Sequence, residues 1–223
     1  EVIEQTNNLK LIAVAFAGID HVDLKACKER NIEVLNCPNY SNVAVSELVI
    51  GLTLNLLRKI NQADSATRNN QTNSLLIGEE LNNKTIGIIG LGKIGNKTAD
   101  LFSAFGCKVL AYQRKPINNP NVTQVTLDEL LSQSDIISLH IPYNKETYHF
   151  IDEDKINTMK KGAILINCAR GPVVDNVALA KALNEERIKG AGIDVFDYEP
   201  PLNADYPLLN AKNTILTPHL AYF

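Results

Sequence analysis

"TIGIIGLGKIG", residues 85–95, is the stretch on which the reading of this chain turns. An apolar run ends in glycine, and Gly90, Gly92 and Gly95 then stand at G-x-G-x-x-G spacing, with a helical pattern opening at Lys93. Glycines at a strand-to-helix turn also arise for steric reasons alone, so the spacing by itself decides little. Its setting decides more. A strand directly before and a helix directly after would aim the N–H groups of a helix start at a ligand, as a pyrophosphate requires. Dinucleotide binding is therefore the expectation, with Lys93 and Ile94 in the turn and Ile94 contributing through its main chain.

From residue 85 onward, short apolar runs alternate with helical patterns, which is the signature of a parallel sheet with helices on its faces. Six strands are expected: 85–90, 108–113, 135–141, 162–169, 190–196 and 213–218. Helices are expected between them at 93–105, 127–133, 152–159 and 176–187, the last opening on the caps Asp175 or Asn176. This is a doubly wound (Rossmann) α/β sheet occupying residues 77–217.

The strand "KVLAYQ" should end in an acid that accepts hydrogen bonds from the cofactor ribose. Gln113, Arg114 and Lys115 stand there instead. A carboxylate would repel a 2'-phosphate; Gln113 removes that repulsion, and Arg114 and Lys115 can supply charge-assisted bonds to one. NADP is thus favoured over NAD. A solvated basic turn before Pro116 is the plainer alternative.

The leading part has a different pattern. "LKLIAVAF" and "IEVLNC" read as strands flanking the helix "DLKACKER", and a long helix over 43–68 carries apolar residues nearly all round, so it should be buried on more than one side. Two strands do not make an independent layer. Residues 1–76 are expected to be part of a smaller domain, "NNQTNS" (69–74) to be a loop, and 218–223 to start a return to that domain. The chain begins at Glu1 and stops at Phe223 after a strand-like run, so both ends are expected to be cut.

Composition excludes several classes. With 45% hydrophobic and 21% charged residues the chain can bury an ordinary core, and a formal net charge of −3 gives no general attraction to nucleic acid or anionic membranes. The most apolar run, "VAVSELVIGLTLNLL", is interrupted by Ser46, Glu47, Gly51 and Asn55, and no membrane span is expected. Cys27, Cys37, Cys107 and Cys168 lack C-x-x-C spacing, which points to free thiols in the cytoplasm and to no zinc site.

Taken in order, "AGIDHVDL", "SELVIGLTLNLLRK", "GLGKIG", "NCARGPVVD", "GIDVFDYEP" and "TPH" resemble the D-isomer-specific 2-hydroxyacid dehydrogenases over essentially the whole chain. The resemblance implies a nucleotide domain inserted into a smaller flavodoxin-like substrate domain, incomplete here, and an enzyme that exchanges a hydride between NAD(P)H and a 2-oxo or D-2-hydroxy acid. It also implies a homodimer built on the helix at 43–68. The implied catalytic residues are Arg170, Glu199 and His219, all following strands of the sheet. Arg170 offers a planar fork for a substrate carboxylate and can polarise the adjacent carbonyl. His219 can give a proton to the developing alkoxide, and Glu199 can orient it and favour its charged form.

Asp194 resembles the family's partner of the nicotinamide carboxamide, while Cys168 and Ala169 would border the nicotinamide ribose. His140, Ile141 and Pro142 would line the cofactor cleft through their backbone. Phe16, Ala17 and Gly18 resemble the loop whose amides receive the substrate carboxylate. Neither that loop nor "NCPNYSN" (36–42) holds Lys or Arg to offset the desolvation of a phosphate, so glyoxylate or hydroxypyruvate is favoured as substrate. The alternatives are a D-3-phosphoglycerate dehydrogenase-like enzyme, or a non-catalytic NAD(H)-sensing corepressor or scaffold. The formate dehydrogenase branch, which carries Gln at the position of Glu199, does not fit.

Overall fold

The computed structural model describes residues 2–72 and 76–222. The chain divides into two compact units, Glu1–Asn42 and Val43–Phe223. In the first, α1 (Val2–Gln5) precedes β1 (Leu11–Val14), α2 (Leu24–Glu29) and β2 (Glu33–Asn36), and the two strands pair in parallel with Leu11 opposite Glu33. Asp23 caps α2 by accepting from the Ala26 amide at 2.9 Å. Val14, Cys27 and Ile32 form the small core of this unit.

Helix α3 (Asn42–Arg58) lies in the second unit from its second residue, Val43, onward, and α4 (Ile60–Arg68) follows it. The continuous helix expected over 43–68 is thus interrupted. Lys59 takes the left-handed conformation at φ 53°, and the Asn55 carboxamide bonds both the side chain and the amide of Asn61, which satisfies the backbone where the helix restarts. Burial also differs between the halves. Val45, Val49, Leu52 and Leu57 of α3 are buried, whereas α4 buries no residue, so the expectation of burial on several sides holds for the first segment alone. Compactness places α3 with the nucleotide sheet, because Val49 and Leu52 share a core with Ile86, Ile88, Ile164 and Ile166. The loop expected at 69–74 lies partly outside the described residues, as does the end of the segment 218–223.

The sheet follows as β3 (Thr85–Ile89), β4 (Lys108–Tyr112), β5 (Val122–Gln124), β6 (Ile136–Leu139), β7 (Ile164–Asn167), β8 (Gly190–Ile193) and β9 (Thr214–Leu216). All pair in parallel in the order β5-β4-β3-β6-β7-β8-β9. Seven strands stand where six were expected. The addition, β5, is a three-residue edge strand, "VTQ", too short and too polar to show a period.

Helices α5 (Lys93–Ala104), α6 (Leu127–Gln133), α7 (Glu153–Thr158) and α8 (Asn176–Asn184) cover the faces. Their starts are chemically marked. Thr126 and Glu129 form a reciprocal capping box on α6, Asp152 caps α7, and Asp175 caps α8 through the amides of Val177 and Ala178. Asn176, the alternative cap, is instead the first helical residue.

Because both faces are covered, the central strands are apolar at nearly every position. Ile86 and Ile88 join one core with Phe102 and Ala99 of α5; Ile89, Ile137, Leu139 and Leu165 join the other with Leu130 and Leu131 of α6. Each fully buried Ile or Leu contributes roughly 1.5–3 kcal/mol relative to exposure, so the sheet centre is a rigid platform for the loops at its carboxyl edge. The strand order reverses between β3 and β6, and in open α/β sheets that switch point is where ligands bind.

Candidate active site

At the switch point the three glycines do three different things. Gly90 turns the chain at φ 92°, and a Cβ there would lie 2.7 Å from the His140 carbonyl oxygen and 2.8 Å from Ile141 Cγ2. Gly95 lets α5 approach β3, since its Cβ would stand 2.1 Å from the Gly90 carbonyl oxygen. Gly92, the N-cap of α5, faces open space with no atom within 4 Å of where its Cβ would be. A bare backbone at a twelve-residue helix start is a surface onto which a pyrophosphate can close, so the residues present fit a dinucleotide. Lys93 and Ile94 form the first turn of that helix, as expected.

Gln113, Arg114 and Lys115 form the turn after β4. Gln124 of β5 holds it: its amide donates to the carbonyls of Gln113 and Lys115, each at 3.2 Å, while its oxygen accepts from the Ile117 amide at 3.1 Å. Arg114 pairs with Glu146 at 3.3 Å. Neither Gln124 nor Glu146 was legible as a site residue, because each acts from a loop or edge whose place in space only the sheet order defines.

His140 follows β6 and donates its amide to the Ile89 carbonyl at 2.8 Å, which fixes it, with Ile141 and Pro142 behind it, against the Gly90 turn. Its ring contacts Ser138 Oγ at 2.9 Å, and burial pushes its pKa down to about 4. The imidazole is therefore neutral near pH 7. Unfolded, it takes up its proton near 6.5; between that value and 4 the unfolded chain binds more protons, so this contribution to stability is complete above about pH 6.5 and is lost as pH falls towards 4. Its size is roughly 3 kcal/mol at most. Thermal melts from pH 7 to 4.5 should fall more steeply for the native chain than for His140→Gln; parallel curves would show that His140 is not held neutral.

The loop after β7 carries Cys168, Ala169 and Arg170. Asn167, fully buried, stitches it by donating to the Arg170 carbonyl at 2.9 Å and accepting from the Ala169 amide at 3.0 Å. The Arg170 guanidinium donates to the Ala169 carbonyl at 2.7 Å. Burial, reinforced by the Asp194 charge, raises the Cys168 thiol well above its ordinary range, so it is no nucleophile. Behind Arg170, Gly171 presses on the next loop: a Cβ there would fall 1.9 Å from the carbonyl carbon of Phe196. Only glycine lets the Arg170 loop lie against the loop that leads to Glu199. Asn176 and Tyr206 hold that second loop through the Asp197 carboxylate, at 3.0 and 3.1 Å.

Glu199 Oε1 lies 2.6 Å from His219 Nδ1. The contact requires the proton on Nδ1, which leaves Nε2 as the nitrogen turned to other business. His219 is held at φ 52° just beyond β9. What fixes that backbone is Asp194, whose fully buried carboxylate accepts from Thr217 Oγ1 at 2.6 Å and from the amides of Leu220 and Ala221 at 3.0 Å each. Asp194, expected as a cofactor partner, anchors the histidine's loop.

Phe16, Ala17 and Gly18 lie in the first unit, after β1, where the Phe16 carbonyl accepts from the Cys37 amide at 3.2 Å and the Ala17 carbonyl from the Asn36 side chain at 2.7 Å. All four cysteines are unpaired. Among the described residues no helix is long and apolar enough to cross a membrane, and no three His, Cys, Asp or Glu side chains cluster as metal ligands.

The parallel order, the switch-point glycines and the imidazole–carboxylate pair beyond the carboxyl ends of the strands define a doubly wound dinucleotide-binding protein. Residues 50–221 match the family described as D-isomer specific 2-hydroxyacid dehydrogenase, NAD binding domain. The chain belongs to that family. It is 44% identical over 231 residues to a glyoxylate reductase of Thermofilum pendens, covering 99% of this chain and 68% of that protein. It is 40% identical over 225 residues to a D-3-phosphoglycerate dehydrogenase of Methanocaldococcus jannaschii, covering 98% of this chain and 43% of that one. Among solved structures, an acyclic imino acid reductase in complex with NADPH and D-Arg superposes with a TM-score of 0.92 at 38% identity, covering 99% of this chain and 71% of its own.

Proposed function

We infer that the chain carries the nucleotide-binding and proton-donating parts of an NADPH-preferring reductase that converts a small 2-oxo acid, glyoxylate or hydroxypyruvate, to its D-2-hydroxy acid. The observation that carries this reading is the 2.6 Å contact between Glu199 and His219 at the edge of a dinucleotide sheet. A bound nicotinamide would supply the hydride. Arg170 anchors the substrate carboxylate with two parallel donors and draws electron density from the neighbouring carbonyl. His219 acts as the imidazolium. Nδ1–H stays on Glu199, which orients the ring, while Nε2–H gives its proton to the oxygen as negative charge builds there, leaving the neutral Nδ1–H imidazole. The amides of Phe16, Ala17 and Gly18 are assigned to the carboxylate, Asp194 to the nicotinamide carboxamide, Cys168 and Ala169 to the ribose beside it, and His140, Ile141 and Pro142 to the lining of the cleft.

NADPH is preferred because Arg114 and Lys115 occupy the turn where an acid would repel the 2'-phosphate; the imino acid reductase with NADPH in its complex supports this. In this reading residues 1–76 serve the substrate domain and 77–217 the nucleotide domain, and two copies associate through α3, on which Val43 and Gly51 are exposed. A cytoplasmic site fits the four unpaired thiols.

The identity to a phosphoglycerate dehydrogenase supports a second reading, in which the acid is phosphorylated. Oxidation of NADPH and NADH by glyoxylate, hydroxypyruvate and phosphohydroxypyruvate decides between them. The two unphosphorylated acids should give the higher kcat/KM. A preference of tenfold or more for phosphohydroxypyruvate would establish the second reading, and cofactor binding without turnover on any acid would replace both with a sensor.

A further inference from the structure

No acid stands at the end of β4, yet a carboxylate meets the turn that follows it. Glu146, on the loop after β6, lies 3.3 Å from Arg114. Strands β4 and β6 flank β3 on either side, so this ion pair joins the two loops that border the Gly90 turn. Both backbones are braced. Asn144 Oδ1 accepts from the amides of Glu146 at 2.8 Å and Thr147 at 3.1 Å, and Thr147 Oγ1 donates to the Pro142 carbonyl at 2.7 Å. On the other side Gln124 grips the carbonyls before and after Arg114. The two side chains themselves are 83% and 77% exposed.

We propose that Glu146 sets the balance between the two dinucleotides, by competing with a 2'-phosphate for Arg114 and by accepting from a 2'-hydroxyl when that phosphate is absent. This rests on the reading of Arg114 as the phosphate ligand. A dianionic phosphate on Arg114 must displace Glu146 and then remain near its charge, a penalty that an NADH ribose does not incur. With NADH the pair can persist, and Glu146 supplies from the β6 loop the acceptor that β4 lacks.

The experiment measures the Kd of NADPH and of NADH by nicotinamide fluorescence for the native chain, Glu146→Gln and Arg114→Gln, at low and raised salt. Glu146→Gln should tighten NADPH by roughly twofold to fivefold and leave NADH unchanged or weaker, the size expected of one exposed charge. The gain should shrink with salt, because the interaction is screened. If Arg114→Gln weakens NADPH but Glu146→Gln moves both cofactors equally or neither, the proposal is overturned while the Arg114 reading stands. If Arg114→Gln leaves NADPH binding unmoved, that reading fails and the proposal with it.

Discussion

Replacing His219 with alanine is expected to lower kcat by about 10²–10⁴-fold, the range a positioned general acid contributes. The affinity for dinucleotide should change little by comparison. The reason is local. The imidazole bonds Glu199 at 2.6 Å through Nδ1 and meets the Tyr222 ring edge-on at a centroid distance of 5.8 Å, and neither contact involves the glycine turn at β3. Truncation therefore removes the proton donor without disturbing Gly90, Gly92 or Gly95. Glu199→Gln should cost less, because a carboxamide oxygen can still accept from Nδ1 and keep the ring aimed, while the charge that stabilises an imidazolium is lost. Steady-state kinetics with a 2-oxo acid, alongside cofactor titration, separate these effects. An unchanged kcat in His219→Ala would remove His219 from the mechanism and leave a dinucleotide scaffold without a known acid.

Much of this arrangement is legible from residue patterns, for identifiable reasons. Strands β3, β6 and β7 are buried on both faces, so their sequences are runs of Ile and Leu that no surface element would tolerate. Gly90 and Gly95 stand out because a Cβ at either would strike neighbouring backbone, Gly90 also by its φ of 92°, while Gly92 leaves the helix start bare. What is not legible depends on distances through space. Nothing in "VTQ" marks it as the strand whose Gln124 braces the Arg114 turn. Lys59 breaks the long helix by adopting a left-handed conformation that lysine rarely takes, supported by an Asn55–Asn61 contact that periodicity does not encode. Glu146 resembles any loop acid until the strand order places its loop across β3 from Arg114. Gly171 looks like a turn residue, and only the peptide of Phe196 pressed against it explains why a side chain cannot stand there.

Asp194→Asn is the second change expected to have a large effect, and it acts on the same histidine from behind. The native carboxylate meets three donors, the Thr217 hydroxyl before His219 and the amides of Leu220 and Ala221 just after it, and it does so with no exposed surface. An asparagine of the same shape offers one acceptor and one donor. If its oxygen keeps Thr217 and Leu220, its nitrogen faces the Ala221 amide, donor against donor. Leaving a buried group unsatisfied in this way costs about 1–3 kcal/mol. The strain is relieved most easily by letting residues 217–221 move, which carries the imidazole away from Glu199. A drop in Tm should therefore accompany a kcat loss approaching that of His219→Ala. Thr217→Val, which removes one of the three bonds and leaves both amides satisfied, should lose far less. A carboxylate has about four acceptor positions, but with no exposed surface none is open to a nicotinamide carboxamide in this arrangement, so the two roles can be told apart. Weakened dinucleotide binding with kcat intact at saturating cofactor would mean that Asp194 serves the carboxamide alone; a fallen kcat with binding retained would mean that its hold on the histidine loop matters more.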